Sequence, residues 1–295
     1  MSMAQRKDTH PWNAQPKSAQ PKSVAPAPLG ALFALGRPLV MGILNVTPDS
    51  FSDGGDFRAP EAALAHARRM AAEGADILDI GAESSRPYVG AVAVTAEEEQ
   101  ARLEPVLPMV AELGVPISID TMKAAVAAWA LDHGATIAND VWGLQRDPDM
   151  ARVVAERGVP VIVMHNRDDV DPRIDIIADM LDFFARSLDI AGHAGIAREA
   201  IVLDPGIGFG KTPQQSMIAL RRLDALAGFG LPILVGASRK RFINTVIESE
   251  PKQRLAGSLA AHLIAADNGA AIIRAHDVAD TVQALRVNAA IREAT

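Results

Sequence analysis

No cysteine occurs among the 295 residues. Disulfides, a thiol nucleophile and thiolate metal sites are excluded, and a reducing cytoplasm is permitted. No apolar run approaches the ~18 residues needed to span a bilayer, so a membrane protein is not expected. A basic excess is missing too: 29 Lys and Arg against 36 Asp and Glu leave a net charge of −7. General nucleic-acid binding, which leaves a basic footprint, is not expected either, and any anion must be held by a local positive site. Residues 1–35 have few large apolar side chains and no periodicity, and read as a flexible tail. Within them the short LGALFALG run follows a long polar segment, unlike the apolar core of a signal peptide, which argues against export.

Beyond the tail, a single domain over 36–295 repeats one pattern. A glycine closes an alanine-rich amphipathic segment and a short apolar run follows, as in EGADILDIG, LGVPISID, HGATIAND, RGVPVIVMH, FGLPILVG and NGAAIIRAH. Glycine just past a helix end supplies a left-handed cap. Uninterrupted Ile, Val and Leu mark strands covered on both faces, as parallel strands are. With PLVMGILN at the start and AIVLDPG later, there are eight such runs. Helices are expected over 60–73, 95–113, 122–133, 148–157, 174–193, 213–227, 251–267 and 278–292. Eight strand-helix units are the count of a closed (β/α)8 barrel.

The stretch IVLDPGIGFGKT has the most concentrated chemistry. An apolar run stops at Asp204 and breaks into Gly206, Gly208, Gly210 and Lys211. Glycines let a ligand approach the backbone closely, and Lys211 with the turn's N–H groups is expected to make the neighbourhood mildly positive. The phosphate-loop template would need glycine where Pro205 stands, and the dinucleotide template glycine where Lys211 stands, so neither applies.

In a (β/α)8 barrel the site lies at the C-terminal ends of the strands. Here those ends carry Asn45, then Glu83 followed by Ser84, Ser85 and Arg86, then Asp120, Asn139 with Asp140, His165, Asp204, the run Ser238-Arg239-Lys240, and Arg274 with His276. The ring has two characters. Asp120, Asn139 and Asp204 offer acceptors and an amide, which suit a flat heterocycle with adjacent N–H donors. Arg86, Lys240, Arg274 and His276 offer donors and positive charge, which suit phosphate or diphosphate. In ISID the period of two sets Asp120 opposite the isoleucines, directed into the barrel mouth.

The motifs MGILNVTPDSFSDGG, ESSRP, SIDT, AND, MH, DPGIGFGKT, SRK and RAHD, in this order from about Leu39 onward, closely resemble the dihydropteroate synthases of bacterial folate biosynthesis. The resemblance implies a (β/α)8 fold and condensation of 6-hydroxymethyl-7,8-dihydropterin pyrophosphate with 4-aminobenzoate, with Mg²⁺ present, in a cytoplasmic homodimer built on barrel-wall helices late in the chain. By the same resemblance Asp120, Asn139, Asp204 and Lys240 hold the pterin and Arg274 packs on its face. Asn45, Arg86 and His276 serve the pyrophosphate and metal, while Phe209, Ser85, Pro87 and Ser238 surround the aminobenzoate. One loop departs from the family pattern: SSRPYVG stands where STRPG is usual, with Ser85 for threonine and two extra residues, Tyr88 and Val89. That loop bears on 4-aminobenzoate and on the sulfonamides that mimic it.

Several of these residues also have plain structural readings. Asn45 suits a turn before Thr47 and Pro48, Glu83 suits loop support, and His165 suits strand-end packing. Arg239 and Arg241 read as solvent or interface charges. His66, His133, His193 and His262 lack HExxH spacing and read as surface or packing groups. Glu97, Glu98 and Glu99 complement a helix dipole. Asp49 and Asp53 have no assigned role. Two other functions share the heterocycle pocket: a pterin-dependent methyltransferase, which needs no pyrophosphate clamp, and a noncatalytic pterin-binding paralogue.

Overall fold

Each apolar run forms a strand because both its faces are covered. The computed structural model describes residues 25–47, 59–83 and 94–294. Eight strands follow in chain order: β1 (Leu39–Asn45), β2 (Ile77–Gly81), β3 (Ile117–Asp120), β4 (Ile137–Asp140), β5 (Val161–Met164), β6 (Ile201–Asp204), β7 (Leu234–Val235) and β8 (Ile272–Ala275). They are ordered β6-β5-β4-β3-β2-β1-β8-β7, and the neighbours pair in parallel. At the remaining seam a parallel bridge joins Leu203 to Ile233, and the Leu203 N–H donates to the Pro232 carbonyl at 2.9 Å. The sheet thus closes as the expected barrel.

The helices are α1 (Leu29–Phe33), α2 (Ala59–Ala72), α3 (Ala96–Leu103), α4 (Leu107–Ala111), α5 (Ala124–Asp132), α6 (Met150–Arg157), α7 (Ile176–Ala194), α8 (Pro213–Arg221), α9 (Arg241–Val246), α10 (Leu255–Asp267) and α11 (Val278–Glu293). Gly158 caps α6 with φ +61, the left-handed end that the glycine pattern predicts. Three expected helices are shorter than the pattern suggests. The one over 95–113 divides into α3 and α4 around Pro105, which lacks the N–H that a continuous helix would use. The others give way to 3₁₀ turns at Leu223–Phe229 and Pro251–Gln253. The six-residue α9 was not anticipated.

The tail boundary also needs correction. Of residues 1–35, those from 25 onward belong to the folded body: Ala25 and Leu29 are buried against Leu39, Met41, Ile77, Ile137, Ile162, Val202, Leu234 and Ile272, with α1 at the barrel's N-terminal end. The LGALFALG run supplies apolar side chains to an otherwise open end, which removes them from water. The expected tail residues 1–24 lie outside the described residues.

Period-two alternation divides each strand between two environments. Leu78, Ile80, Ile117 and Ile119 join the main cluster with the helix residues, whereas Ile77, Ile137, Val202 and Ile272 fill the barrel interior. Two residues further along β2, β4, β6 and β8, the same inward face carries Asp79, Asn139, Asp204 and Arg274. The barrel axis therefore runs from an apolar floor to a charged mouth.

Candidate active site

Four side chains from four strands meet at the mouth. The Arg274 guanidinium donates through Nε to Asp79 Oδ2 at 2.6 Å and through Nη2 to Asp120 Oδ2 at 2.7 Å. Asn139 donates Nδ2–H to Asp79 Oδ1 at 3.2 Å. An amide nitrogen carries two hydrogens, so this bond leaves Asn139 Oδ1 and a second N–H side by side. Asp204 accepts from its own turn, with Gly206 N–H reaching Oδ1 at 2.8 Å.

Burial sets the charge states. It pushes the Asp120 carboxyl up to about 7, against the attraction of Arg274 and with the repulsion of Asp79. It also raises Asp204 above the usual carboxylate range, opposed by the Gly206 N–H and by Lys240 and Arg274. Burial works against the charge on Arg274, but Asp79 and Asp120 outweigh it and raise its pKa. Acidic and basic groups here share one electrostatic neighbourhood.

The β7 and β8 ends supply the remaining cations. Lys240 Nζ lies 4.0 Å from the centre of the Phe209 ring, a cation–π contact that links the β7 and β6 loops. Ser238 Oγ lies 2.9 Å from His276 Nδ1 and accepts from the His276 N–H at 3.2 Å. Asn45 is exposed at the end of β1, between β2 and β8. The structure thus gathers Asp120, Asn139, Asp204, Phe209, Ser238, Lys240, Arg274 and His276 at one end of the barrel, with Asn45 on the same rim. Ser85, Arg86 and Pro87, with Asp49 and Asp53, lie outside the described residues.

Other residues settle into supporting positions. Glu83 Oε2 accepts from Lys123 Nζ at 2.5 Å and Oε1 from the Val94 N–H at 3.3 Å, which is the loop-support reading. Lys123 also reaches the buried Glu99 at 2.7 Å, so that acid does more than complement a helix dipole. His165 is fully buried and packs against Phe183 at a centroid distance of 4.8 Å. Lys211 is 6% exposed and turned inward, with loop carbonyls around its ammonium, and its charge acts on Asp204 from within the loop. Sequence reading missed Asp79 altogether. Its signal was an acid within ILDIG, on the inward period of a strand otherwise wholly apolar.

Comparison with known proteins agrees with this geometry. Residues 41–276 match the family model described as pterin binding enzyme. The chain is 47% identical over 243 residues to a dihydropteroate synthase of Bacillus subtilis, covering 82% of this chain and 84% of the relative. A solved Xanthomonas albilineans dihydropteroate synthase with 4-aminobenzoic acid superimposes with a TM-score of 0.84 at 46% identity, covering 88% of this chain and 95% of that one. A structure of the Xanthomonas albilineans enzyme in complex with 7,8-dihydropteroate gives 0.81 at 44%, covering 88% and 96%. With the acid-lined, cation-rimmed mouth on the same barrel, the chain belongs to the pterin-binding enzyme family, among the dihydropteroate synthases.

Proposed function

We propose that this protein condenses 6-hydroxymethyl-7,8-dihydropterin diphosphate with 4-aminobenzoate to give 7,8-dihydropteroate and diphosphate. The observation that carries the reading is the placement of Asp120, Asn139 and Asp204 on the same mouth as Lys240, Arg274 and His276. Ionised Asp204 accepts the paired N–H groups of an aminopyrimidine edge. Asn139 offers an acceptor and a donor together, which suits an amino group beside a ring nitrogen. Lys240 donates to the ring carbonyl, and Arg274, already fixed by Asp79, lies against the ring face. Phe209 and Ser238 face the aminobenzoate, the role that the family resemblance also gives to Ser85 and Pro87.

The reaction breaks the bond from the pterin methylene carbon to the diphosphate oxygen, and the bonding pair leaves with diphosphate. Electrons of the dihydropterin ring stabilise the resulting cation. The neutral arylamine then attacks the methylene carbon and loses a proton to solvent. An aniline nitrogen is already uncharged at pH 7, so charge stabilisation of the leaving group carries more of the rate than a general base. Arg86, Arg274 and His276 supply that charge. Arg86→Ala is expected to lower kcat by about 100-fold while changing pterin affinity little. Unchanged turnover refutes the assignment.

Asn45 fits a role at magnesium. Among the described residues no group of three His, Asp or Glu is arranged to hold a metal. An exposed amide oxygen on the rim suits a cation that keeps its waters and takes most protein-independent ligands from phosphate oxygens. Bound there, magnesium would neutralise charge on the diphosphate. Exposed Val246 on α9, Ile247 just beyond it, Ile264 on α10, and Val287 and Ile291 on α11 support a homodimer through these late helices. The lack of cysteine accords with a cytoplasmic location, and no helix among the described residues is long and apolar enough to cross a membrane.

The decisive assay supplies the pterin diphosphate and 4-aminobenzoate, with and without Mg²⁺, and follows both products. Release of diphosphate matched by dihydropteroate, each needing both substrates, is expected. Tight pterin binding with no product over hours overturns the activity in favour of a binding role.

A further inference from the structure

The loop after β6 is folded around its own lysine. Lys211 Nζ donates to the carbonyls of Gly206 at 3.0 Å and Phe209 at 3.1 Å, and approaches that of His165 at 3.5 Å. It also lies 2.6 Å from His165 Nδ1. The other ring nitrogen of His165, Nε2, is 2.9 Å from Asp179 Oδ2. A carboxylate only accepts, so Nε2 carries the hydrogen and Nδ1 receives the lysine's. Arg167 closes the chain on the other Asp179 oxygen at 3.0 Å.

This network answers a mechanical problem. Gly206, Gly208 and Gly210 all have positive φ, a run of backbone with little stiffness of its own. The loop also lies flat on the end of β5: a Cβ at Gly206 would come within 1.9 Å of the His165 carbonyl oxygen. Two residues that face the mouth depend on it. Asp204 has its Oδ1 fixed by the Gly206 N–H, and Phe209 carries the ring beneath Lys240. The two loop carbonyls held by the ammonium belong to Gly206 and to Phe209 itself.

We propose that Lys211 is a positioning residue for both substrates, its ammonium fixing from behind the loop that presents Phe209 to the aminobenzoate and Asp204 to the pterin. It touches neither substrate. Burial pushes Lys211 down to about 7, with Asp204 and Asp179 raising it and Lys240 and Arg167 lowering it further. His165 is held neutral, pushed down to about 3 by burial and by Lys211. The inference rests on the assignment of Phe209 to the aminobenzoate site under the proposed activity.

Its test is Lys211→Met in the full-length protein, with both KM values, kcat and thermal unfolding measured beside the wild type. The substitution keeps the aliphatic stem and removes the donors. The expected result is a folded protein in which KM for 4-aminobenzoate rises about tenfold, more than KM for the pterin, while kcat at saturation falls less than threefold. A folded variant with both KM values within twofold of wild type overturns the inference, as does a loss confined to kcat. If Lys211→Met does not fold, Asp179→Asn reads the same link through His165, with a smaller rise in the aminobenzoate KM expected and an unchanged one overturning it. Wild-type protein that forms no product removes the activity and this inference together. Wild-type turnover with unaltered variant KM values removes this inference alone.

Discussion

Asp120 shows how one carboxyl can serve two opposing demands. Its Oδ2 is bonded to Arg274 at 2.7 Å, yet burial and the neighbouring Asp79 hold its pKa up to about 7. An ionised carboxylate accepts N–H bonds on both oxygens, whereas the protonated form gives up one acceptor. The folded pKa lies above the ordinary carboxylate value, so the protonated fraction is largest on the acid side and falls as pH rises through 7. Affinity for the pterin substrate is therefore expected to strengthen between pH 6 and 8 and then level off. Equilibrium binding across that range checks this, with Asp120→Asn expected to flatten the profile; affinity that weakens over the interval contradicts it. At this scale the sequence revealed the acids at strand ends but hid Asp79. A side chain that orients Asn139 and Arg274 from inside the barrel carries no mark of its partners in a local pattern.

Between elements, the ends of β7 and β8 are joined by a residue that sequence reading left as a solvent or interface charge. Arg239 takes φ +56, a left-handed conformation that is costly without glycine. Three contacts hold it: its N–H donates to Ser258 Oγ at 2.8 Å, its carbonyl accepts from Arg254 Nη1 at 3.2 Å, and its guanidinium grips both oxygens of Asp277. Its neighbours Ser238 and Lys240 are thereby set against His276 and Phe209. Asp277→Ala is expected to lower kcat/KM by about tenfold through misplacement of these groups. Hydrogen exchange should quicken at the amides of residues 236–240; unchanged exchange and kinetics argue that the clamp is idle. Strand positions and helix caps were legible because they follow from local alternation and glycine. The division at Pro105 was also written locally but was masked by the apolar periodicity around it. The Arg239 turn depends on contacts 19 and 38 residues away in sequence, which no local pattern carries.

Across the whole molecule, stability and chemistry occupy opposite ends of one barrel. The floor is apolar and closed by Ala25 and Leu29, whereas the mouth holds buried carboxylates and an arginine whose charges resist burial. A (β/α)8 fold tolerates this because the strand ends at the mouth answer to the ligand, while those at the floor answer only to packing. The division makes a prediction that separates the two ends. Leu29 is 1% exposed among the floor side chains. Leu29→Ala removes buried methyl groups and leaves a cavity, which costs about 2–5 kcal/mol when surroundings relax little. A helix of only five residues can shift to fill part of that space, so the lower end of the range is expected. Denaturant unfolding should show a lower midpoint, while kcat and both KM values stay within twofold of wild type. A change in either KM would mean that the floor and the mouth are mechanically coupled through the strands, and the separation argued here would fail.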